Sequence, residues 1–224
     1  MHAIDLTHPF APDMPRYPGL PQPAFQELAT LECDGYAMTD LHFVNHLGTH
    51  VDAPAHLVAG PTLDALPLSR LVTPAIVLDF STHARGPLTR ADLEPSLALI
   101  QPGDTVLIFS GGSRFWGTEA YWQGWCYPDQ DAAQALLARQ ISALGIDGPS
   151  ADPLETQTFA LHRTWLSAGC LLLENLTNLA QVPPAPAHVL LVIAPLKLSR
   201  ANGAPARLFA LLTEEQAERK ADHV

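Results

Sequence analysis

The sequence predicts a mixed α/β fold in which residues 1–224 form a single domain. Short apolar runs of strand length alternate with helical patterns through the middle of the chain, which is typical of that fold class. The 224 residues are 47% hydrophobic, which is enough for one sizeable core. We also find no internal repeat, low-complexity tract or linker that would divide the chain.

Seven segments have the character of strands. Residues 75–80 and 105–109 are continuous apolar runs, the pattern of strands that are buried on both faces. The full set comprises residues 3–7, 36–45, 75–80, 105–109, 170–173, 187–194 and 207–212. A proline-rich loop follows the first strand, and we expect it to be irregular because proline fixes φ and lacks a backbone donor.

Three helices are predicted between the strands. Thr89 occupies the N-cap position of a helix that runs to about residue 99. An amphipathic pattern predicts a second helix over residues 131–144, with Gly145 just past its end. A third helix is expected over residues 158–167.

Composition limits the partners and the cell compartment. The chain has 12 basic and 23 acidic residues, a formal net charge of −11, so no basic stripe is present to bind nucleic acid or an anionic membrane. Cys33, Cys126 and Cys170 form no Cys-x-x-Cys pair, which argues against a disulfide framework and a zinc knuckle. The N-terminus lacks the features of a secretion signal, and the apolar run at 189–196 is too short to span a bilayer. We therefore expect a cytoplasmic protein.

Residues 46–56 are the densest group of chemically active side chains. Imidazole and carboxylate are ligands that suit zinc, manganese or iron. The four side chains concerned are His46, His50, Asp52 and His56. Because Gly48 and Pro54 disfavour a continuous helix, we expect a turn that folds back, with Asp52 and His56 on the extended part after it. Burying these groups without a partner is costly, so the pattern predicts a metal site.

Two further segments are interpreted with alternatives left open. Residues 111–128 hold six aromatic side chains, which form either a packed cluster or subunit interface, or a wall for a planar substrate. Asp147 either orients a ligand histidine or caps a turn. Glu174 follows four apolar residues directly, and a buried carboxylate at that place needs a cation or a metal.

The pattern His46-x-Gly48-Thr49-His50-x-Asp52-x-Pro54-x-His56 resembles the signature of the metal-dependent cyclase family, which contains bacterial kynurenine formamidases and isatin hydrolases. A second match is the run Glu-Asn-Leu-Thr-Asn-Leu over residues 174–179, together with His162 upstream. With residues 195–197 and 202–207, the resemblance extends over most of the chain.

The resemblance implies a swivelling β/β/α fold with a barrel-like mixed sheet, and a centre of two divalent ions. His46, His50 and Asp52 would hold one ion, and Asp52 would bridge to a second ion held by His162 and Glu174. Zinc is the first expectation and manganese the alternative. A metal-activated hydroxide would attack an amide carbonyl. His56, with the ordinary imidazole pKa of about 6.5, is assigned as general acid and base.

The expected function is that of an arylformamidase, which releases formate from N-formylkynurenine. An isatin-type cyclic amide or lactone hydrolase or a cyclase of the same family is the alternative, and a catalytically inactive metal-binding homologue is another. The resemblance implies that residues 8–9 and 17–19 wall the pocket. It also implies a homodimer or homotetramer acting on a small, aromatic amide. No Gly-x-Ser-x-Gly element occurs, so a serine triad is not supported.

Overall fold

The strands and helices are those of a computed structural model that describes residues 1–221, so residues 222–224 of the predicted single domain lie outside the described part. The strands are β1 (His2–Asp5), β2 (Ala24–Ala29), β3 (Met38–His42), β4 (His50–Asp52), β5 (Val72–Asp79), β6 (Gly86–Leu88), β7 (Thr105–Phe109), β8 (Cys126–Pro128), β9 (Ala143–Ile146), β10 (Leu171–Glu174), β11 (His188–Pro195) and β12 (Gly203–Leu212). The α-helices are α1 (Leu31–Asp34), α2 (Arg90–Leu97), α3 (Gln130–Leu137), α4 (Ala160–Ser167) and α5 (Glu214–Ala221). That the chain is one domain stays a prediction.

The main sheet closes on itself. Its strands follow the order β12-β11-β5-β7-β9-β10-β4, and β4 returns to pair with β12, so seven strands form a barrel-like ring. Strand β12 is long enough to pair with β4 near Gly203 and with β1 near Leu212. The pairs from β5 to β10 are parallel and the others are antiparallel. The expected α/β fold with a barrel-like mixed sheet is therefore confirmed.

Both faces of the barrel wall are buried. Leu107 belongs to a cluster built from one face of all seven strands, whereas its neighbours Val106 and Ile108 pack on the opposite face against the helices. Leu136 of α3 and Trp165 of α4 are fully buried in that outer layer. This double burial explains why the sequence shows continuous apolar runs at these strands instead of alternation.

The predicted helices are confirmed in two cases and partly wrong in the third. Thr89 caps α2 in a capping box with Asp92, and α4 occupies most of residues 158–167. The helix expected over residues 131–144 ends at Leu137, and Gly145 lies within strand β9. A Cβ at Gly145 would come within 2.5 Å of Leu107, so this glycine permits close packing beside β7 and does not end a helix.

The segment expected as a strand over residues 36–45 forms β3, which is not one of the barrel strands. Within residues 1–221 its pairing partner is β2, with which it forms a separate two-stranded hairpin. Its apolar side chains Met38 and Leu41 are about half exposed, at 49% and 50%. Within residues 1–221, no helix has the length and apolar character needed to cross a membrane.

Candidate metal centre

Strands β4 and β10 build the floor of the site. They are antiparallel neighbours, and their register sets His50 directly opposite Glu174. Side chains two residues apart on a strand share a face, so Asp52 points the same way as His50, while Val51 between them is buried in the barrel core. Helix α4 packs on this outer face and supplies His162. The site therefore lies between the barrel wall and a helix.

Two imidazoles and two carboxylates converge at the centre. The His50 Nε2 atom lies 3.3 Å from Asp52 Oδ1 and 3.6 Å from Glu174 Oε2. The His162 Nε2 atom lies 3.2 Å from Glu174 Oε1 and 3.6 Å from Asp52 Oδ2. All four side chains are buried. Each nitrogen thus faces both carboxylates across the same small space.

His46 and His56 complete the predicted set from the adjoining side. The His46 Nδ1 atom is 2.6 Å from Asp52 Oδ1, and the rings of His46 and His56 lie 3.9 Å apart, tilted by 30°. His56 ends a short 3-10 helix, Pro54–His56, and not the extended chain that was expected. The structure brings all six predicted residues together. Two groups satisfy a metal-ligand spacing, His46 with Asp52 and His56, and His50 with Asp52 and Glu174.

The division of ligands between two ions stays a prediction. Asp52 belongs to both groups of possible ligands, which suits a carboxylate that bridges. The groups do not repeat the expected pairing of His46 with His50, since His46 is grouped here with His56. The assignment of His46, His50, Asp52, His162 and Glu174 as ligands is likewise a prediction that geometry alone supports.

The hydrogen bonds at Nδ1 of the two central imidazoles, His50 and His162, suit metal binding. Asp152 Oδ2 accepts a hydrogen bond from His162 Nδ1 at 2.6 Å, and the Gly48 carbonyl accepts one from His50 Nδ1 at 2.9 Å. Because each Nδ1 is held as a donor, each neutral ring presents an unprotonated Nε2 to the carboxylates. This is how ligating histidines are usually oriented.

The charge of the site also fits a metal. Burial lowers the pKa of His50, but Asp52 and Glu174 outweigh burial and raise that pKa to about 9. Burial likewise lowers the pKa of His162, and Glu174 with the hydrogen bond to Asp152 raises it to about 10. Among the described residues, neither Lys nor Arg forms an ion pair with Asp52 or Glu174. A divalent cation would supply the positive charge that these carboxylates otherwise draw from protons.

His56 differs from the other imidazoles. Burial lowers its pKa to about 4, well below the ordinary value that we expected from its sequence. The neighbouring Asp52 raises this pKa and His46 lowers it, without reversing the effect of burial. His56 is therefore neutral near pH 7 and able to accept a proton.

Of the two alternatives left open for Asp147, the structure favours the local hydrogen-bonding role, and a different aspartate, Asp152, orients a histidine. Asp147 accepts hydrogen bonds from the backbone nitrogen and Oγ of Ser110, at 3.0 and 2.5 Å, and so holds the start of the aromatic loop. Asp152 takes the predicted role, and also accepts from the backbone nitrogens of His162 and Leu161 at 2.9 and 3.0 Å. Asp152 stands eight residues before α4 begins, outside any local capping pattern, so no spacing in the sequence indicated it.

Asn202 and Gly203 were also missed as part of the site. The side-chain oxygen of Asn202 lies 3.0 Å from His46 Nε2. A Cβ at Gly203 would overlap the His46 ring, so the absence of a side chain there makes room for this imidazole. Both belong to the second part of the family resemblance, but only the pairing of β4 with β12 brings them to His46.

A cavity of about 210 Å³ leads to these groups. Its aromatic lining comes from three separate segments, Tyr17, Trp122 and Phe159. The Tyr17 hydroxyl donates to the Leu154 carbonyl at 3.0 Å, and its ring meets that of Trp122 edge to face. The expected wall at residues 17–19 is thus supported at Tyr17.

The predictions for His8 and for the aromatic loop at residues 111–128 have different outcomes. His8 lines a different cavity, of about 560 Å³, so its expected place in the wall of the metal pocket is wrong. In the aromatic loop, Trp122 lines the pocket, whereas Tyr121 and Trp125 are buried. Tyr121 donates to Asn175 at 2.7 Å. The loop therefore acts both as packed cluster and as pocket wall.

Comparison with known proteins agrees with the fold and with the family resemblance. The family model described as cyclase matches residues 4–153. The chain is 30% identical to a kynurenine formamidase of Salinibacter ruber, covering 92% of this chain and 96% of that protein. It is 28% identical to an isatin hydrolase of Roseibium aggregatum, covering 86% of this chain and 82% of the other.

Two solved structures are also similar. An isatin hydrolase bound to the product analogue thioisatinate superposes with a TM-score of 0.87 and 25% identity, covering 95% of this chain and 92% of that one. A structure described as a potential metal-dependent hydrolase with cyclase activity has a TM-score of 0.76 and 31% identity, covering 93% of this chain and 96% of the other. The resemblance seen in the motifs therefore extends to the whole fold.

Proposed function

The chain belongs to the cyclase family of metal-dependent hydrolases, and we propose that it is an arylformamidase, which cleaves N-formylkynurenine to kynurenine and formate. The observation that carries the proposal is the 30% identity to a kynurenine formamidase over nearly the full length of both proteins. The small aromatic-walled cavity beside the histidine and carboxylate cluster supports a single-ring amide as substrate.

In this proposal His46, His50, Asp52, His162 and Glu174 hold the metal. We propose two divalent ions, with zinc first and manganese as the alternative, because imidazole and carboxylate without thiolate suit both. When bound, such an ion activates water and polarises a carbonyl oxygen. Asp52, whose pKa lies well below its usual range because His50 and His46 outweigh its burial, stays ionised and would supply a carboxylate ligand.

Side chains of this protein would transfer the proton from water to the departing nitrogen. Hydrolysis forms one C–O bond from water, breaks the C–N bond of the formamide and moves a proton to the departing nitrogen. Burial lowers the pKa of His56, so its imidazole is unprotonated near pH 7 and can take the proton of water, and the same low pKa favours passing that proton on to the departing amine. Tyr17 and Trp122 hold the aromatic ring, and Asp152 keeps His162 in the ligating tautomer.

An isatin-type cyclic amide hydrolase is the second candidate. The observation in its favour is the TM-score of 0.87 to an isatin hydrolase, higher than the 0.76 to the hydrolase with cyclase activity. Nothing in the site favours a catalytically inactive homologue, since all six predicted residues converge.

The experiment is turnover of N-formylkynurenine and of isatin by metal-stripped protein and by protein restored with zinc or manganese. Kynurenine release that depends on metal supports the formamidase. Ring opening of isatin without kynurenine release would replace the first proposal by the second.

We further propose that the chain assembles with copies of itself into a homodimer or homotetramer. The hairpin of β2 and β3 is not paired with the barrel strands, and its segment exposes large apolar side chains, namely Leu28, Leu31, Tyr36, Met38 and Leu41. Two-stranded hairpins are marginal in water, so a covering partner would stabilise this one. Light scattering of the wild type and of Met38→Asp tests the assembly, and a monomeric wild type would reject it. A cytoplasmic location stays a prediction.

A further inference from the structure

The mouth of the metal pocket carries an isolated positive charge. Among the described residues that line the cavity, Arg16 is the only Lys or Arg, while Asp52 and Glu174 lie at the metal centre. Arg16 is exposed, on the loop that also presents Tyr17 and Leu20 to the cavity. A cation at the rim and an aromatic wall beside it form a two-part recognition surface.

The Arg16 guanidinium is held but not neutralised. Its Nε donates to the carbonyl of Leu20 at 2.7 Å, across a turn in which the Leu20 nitrogen donates to the Tyr17 carbonyl at 3.1 Å. Within residues 1–221 no carboxylate forms an ion pair with Arg16, and Leu20 offers it a carbonyl but no negative charge. The two Nη groups are thus available in the planar geometry that binds a carboxylate through paired hydrogen bonds.

The charge of the protein makes this cation consequential. A formal net charge of −11 disfavours the approach of a carboxylate group unless a local positive charge offsets the repulsion. The centre itself brings two carboxylates, whose charge a metal would take up. Arg16 is then the group left to receive an anion at the pocket mouth.

We propose that Arg16 binds a carboxylate of the substrate, so that the site selects aromatic amides that carry a carboxylate over amides with the same ring that lack one. The ring would lie against Tyr17 and Trp122, with its amide toward His56 and its carboxylate at the rim. A cavity of about 210 Å³ limits the substrate to a small molecule. This inference rests on the proposed amide hydrolysis and adds to it the charge of the substrate.

The test uses two substrates that differ only by the carboxylate, N-formylkynurenine and its decarboxylated counterpart N-formylkynurenamine. The variants are Arg16→Gln, Arg16→Lys, and Arg90→Gln as a matched loss of one exposed arginine on α2, far along the chain from the pocket loop. We expect Arg16→Gln to raise KM for the carboxylate substrate about tenfold with kcat unchanged, the size of one charge-assisted contact. Arg16→Lys should recover part of this loss, and Arg90→Gln should match the wild type.

The outcomes separate this inference from the proposed function. If Arg16→Gln leaves both KM values unchanged, or raises both by the same factor, the carboxylate role is wrong while the formamidase stands. If neither substrate is hydrolysed, the formamidase proposal fails. Calorimetric binding of kynurenine and kynurenamine to metal-loaded protein then decides the inference by itself. A fall in the affinity for kynurenine relative to that for kynurenamine in Arg16→Gln supports it, and an unchanged ratio of the two affinities overturns it.

Discussion

Replacing Asp152 with asparagine is expected to weaken metal binding about tenfold while leaving the fold intact. Asp152 accepts three hydrogen bonds, from His162 Nδ1 at 2.6 Å and from the backbone nitrogens of His162 and Leu161 at 2.9 and 3.0 Å. Asparagine is nearly the same shape and keeps one acceptor oxygen. It lacks the negative charge, and its amide NH2 can meet Nδ1 as a donor, which favours the wrong tautomer of His162.

The magnitude follows from that change in charge. A hydrogen bond to a charged group contributes about 1.5–3 kcal/mol, against about 1 kcal/mol for a neutral pair. The difference is about 0.5–2 kcal/mol, which corresponds to a factor of about 2 to 30 in a dissociation constant. Outer partners of ligating histidines usually contribute on that scale.

The assay is competition for zinc or manganese against a chromogenic chelator at pH 7.5. Asp147→Asn is the matched control, because it removes another buried carboxylate that holds Ser110 and touches no histidine in the described structure. We expect its metal affinity to equal that of the wild type. Wild-type affinity in Asp152→Asn, with circular dichroism unchanged, would refute the argument that Asp152 sets the ligating tautomer.

Three further predictions concern single side chains. His56→Ala should lower kcat at least about 100-fold with stoichiometric metal retained, measured by kinetics and metal analysis, and a full rate would reject His56 as the proton carrier. Gly203→Ala should displace the His46 ring and reduce bound metal, whereas unchanged metal content would show that the ring can shift without loss. Burial lowers the pKa of His8 to about 4. As pH falls below about 6.5, His8 therefore becomes protonated in the unfolded state but stays neutral in the folded state. Stability should therefore drop by about 2 kcal/mol from pH 8 to pH 5 through this group. In urea unfolding, His8→Phe, which keeps a ring beside Trp116, should lose this part of the pH dependence, and an unchanged profile would contradict it.

The metal motif and several strands could be predicted because they depend on neighbours in the chain. Residues 46–56 place three imidazoles and a carboxylate within eleven residues, and the left-handed φ of +64° at Gly48 is consistent with the expected turn. Strands such as β7 were found because burial on both faces leaves only apolar residues at successive positions. Such local patterns can be predicted because they depend only on residues that are close together in the sequence.

The rest was decided by pairings between distant segments. The register of β4 with β10 brings Glu174 to His50, and the closure of β4 onto β12 brings Asn202 to His46. In the sequence Gly145 has the position expected of a glycine that ends a helix. In the structure it lies in β9 and packs closely against Leu107. Asp152, and not Asp147, contacts His162 because the folded barrel places the loop that holds Asp152 beside α4. By itself the sequence determined which side chains could bind a metal, and the tertiary structure decided which of them meet, because contacts between distant strands leave no periodic pattern in the chain.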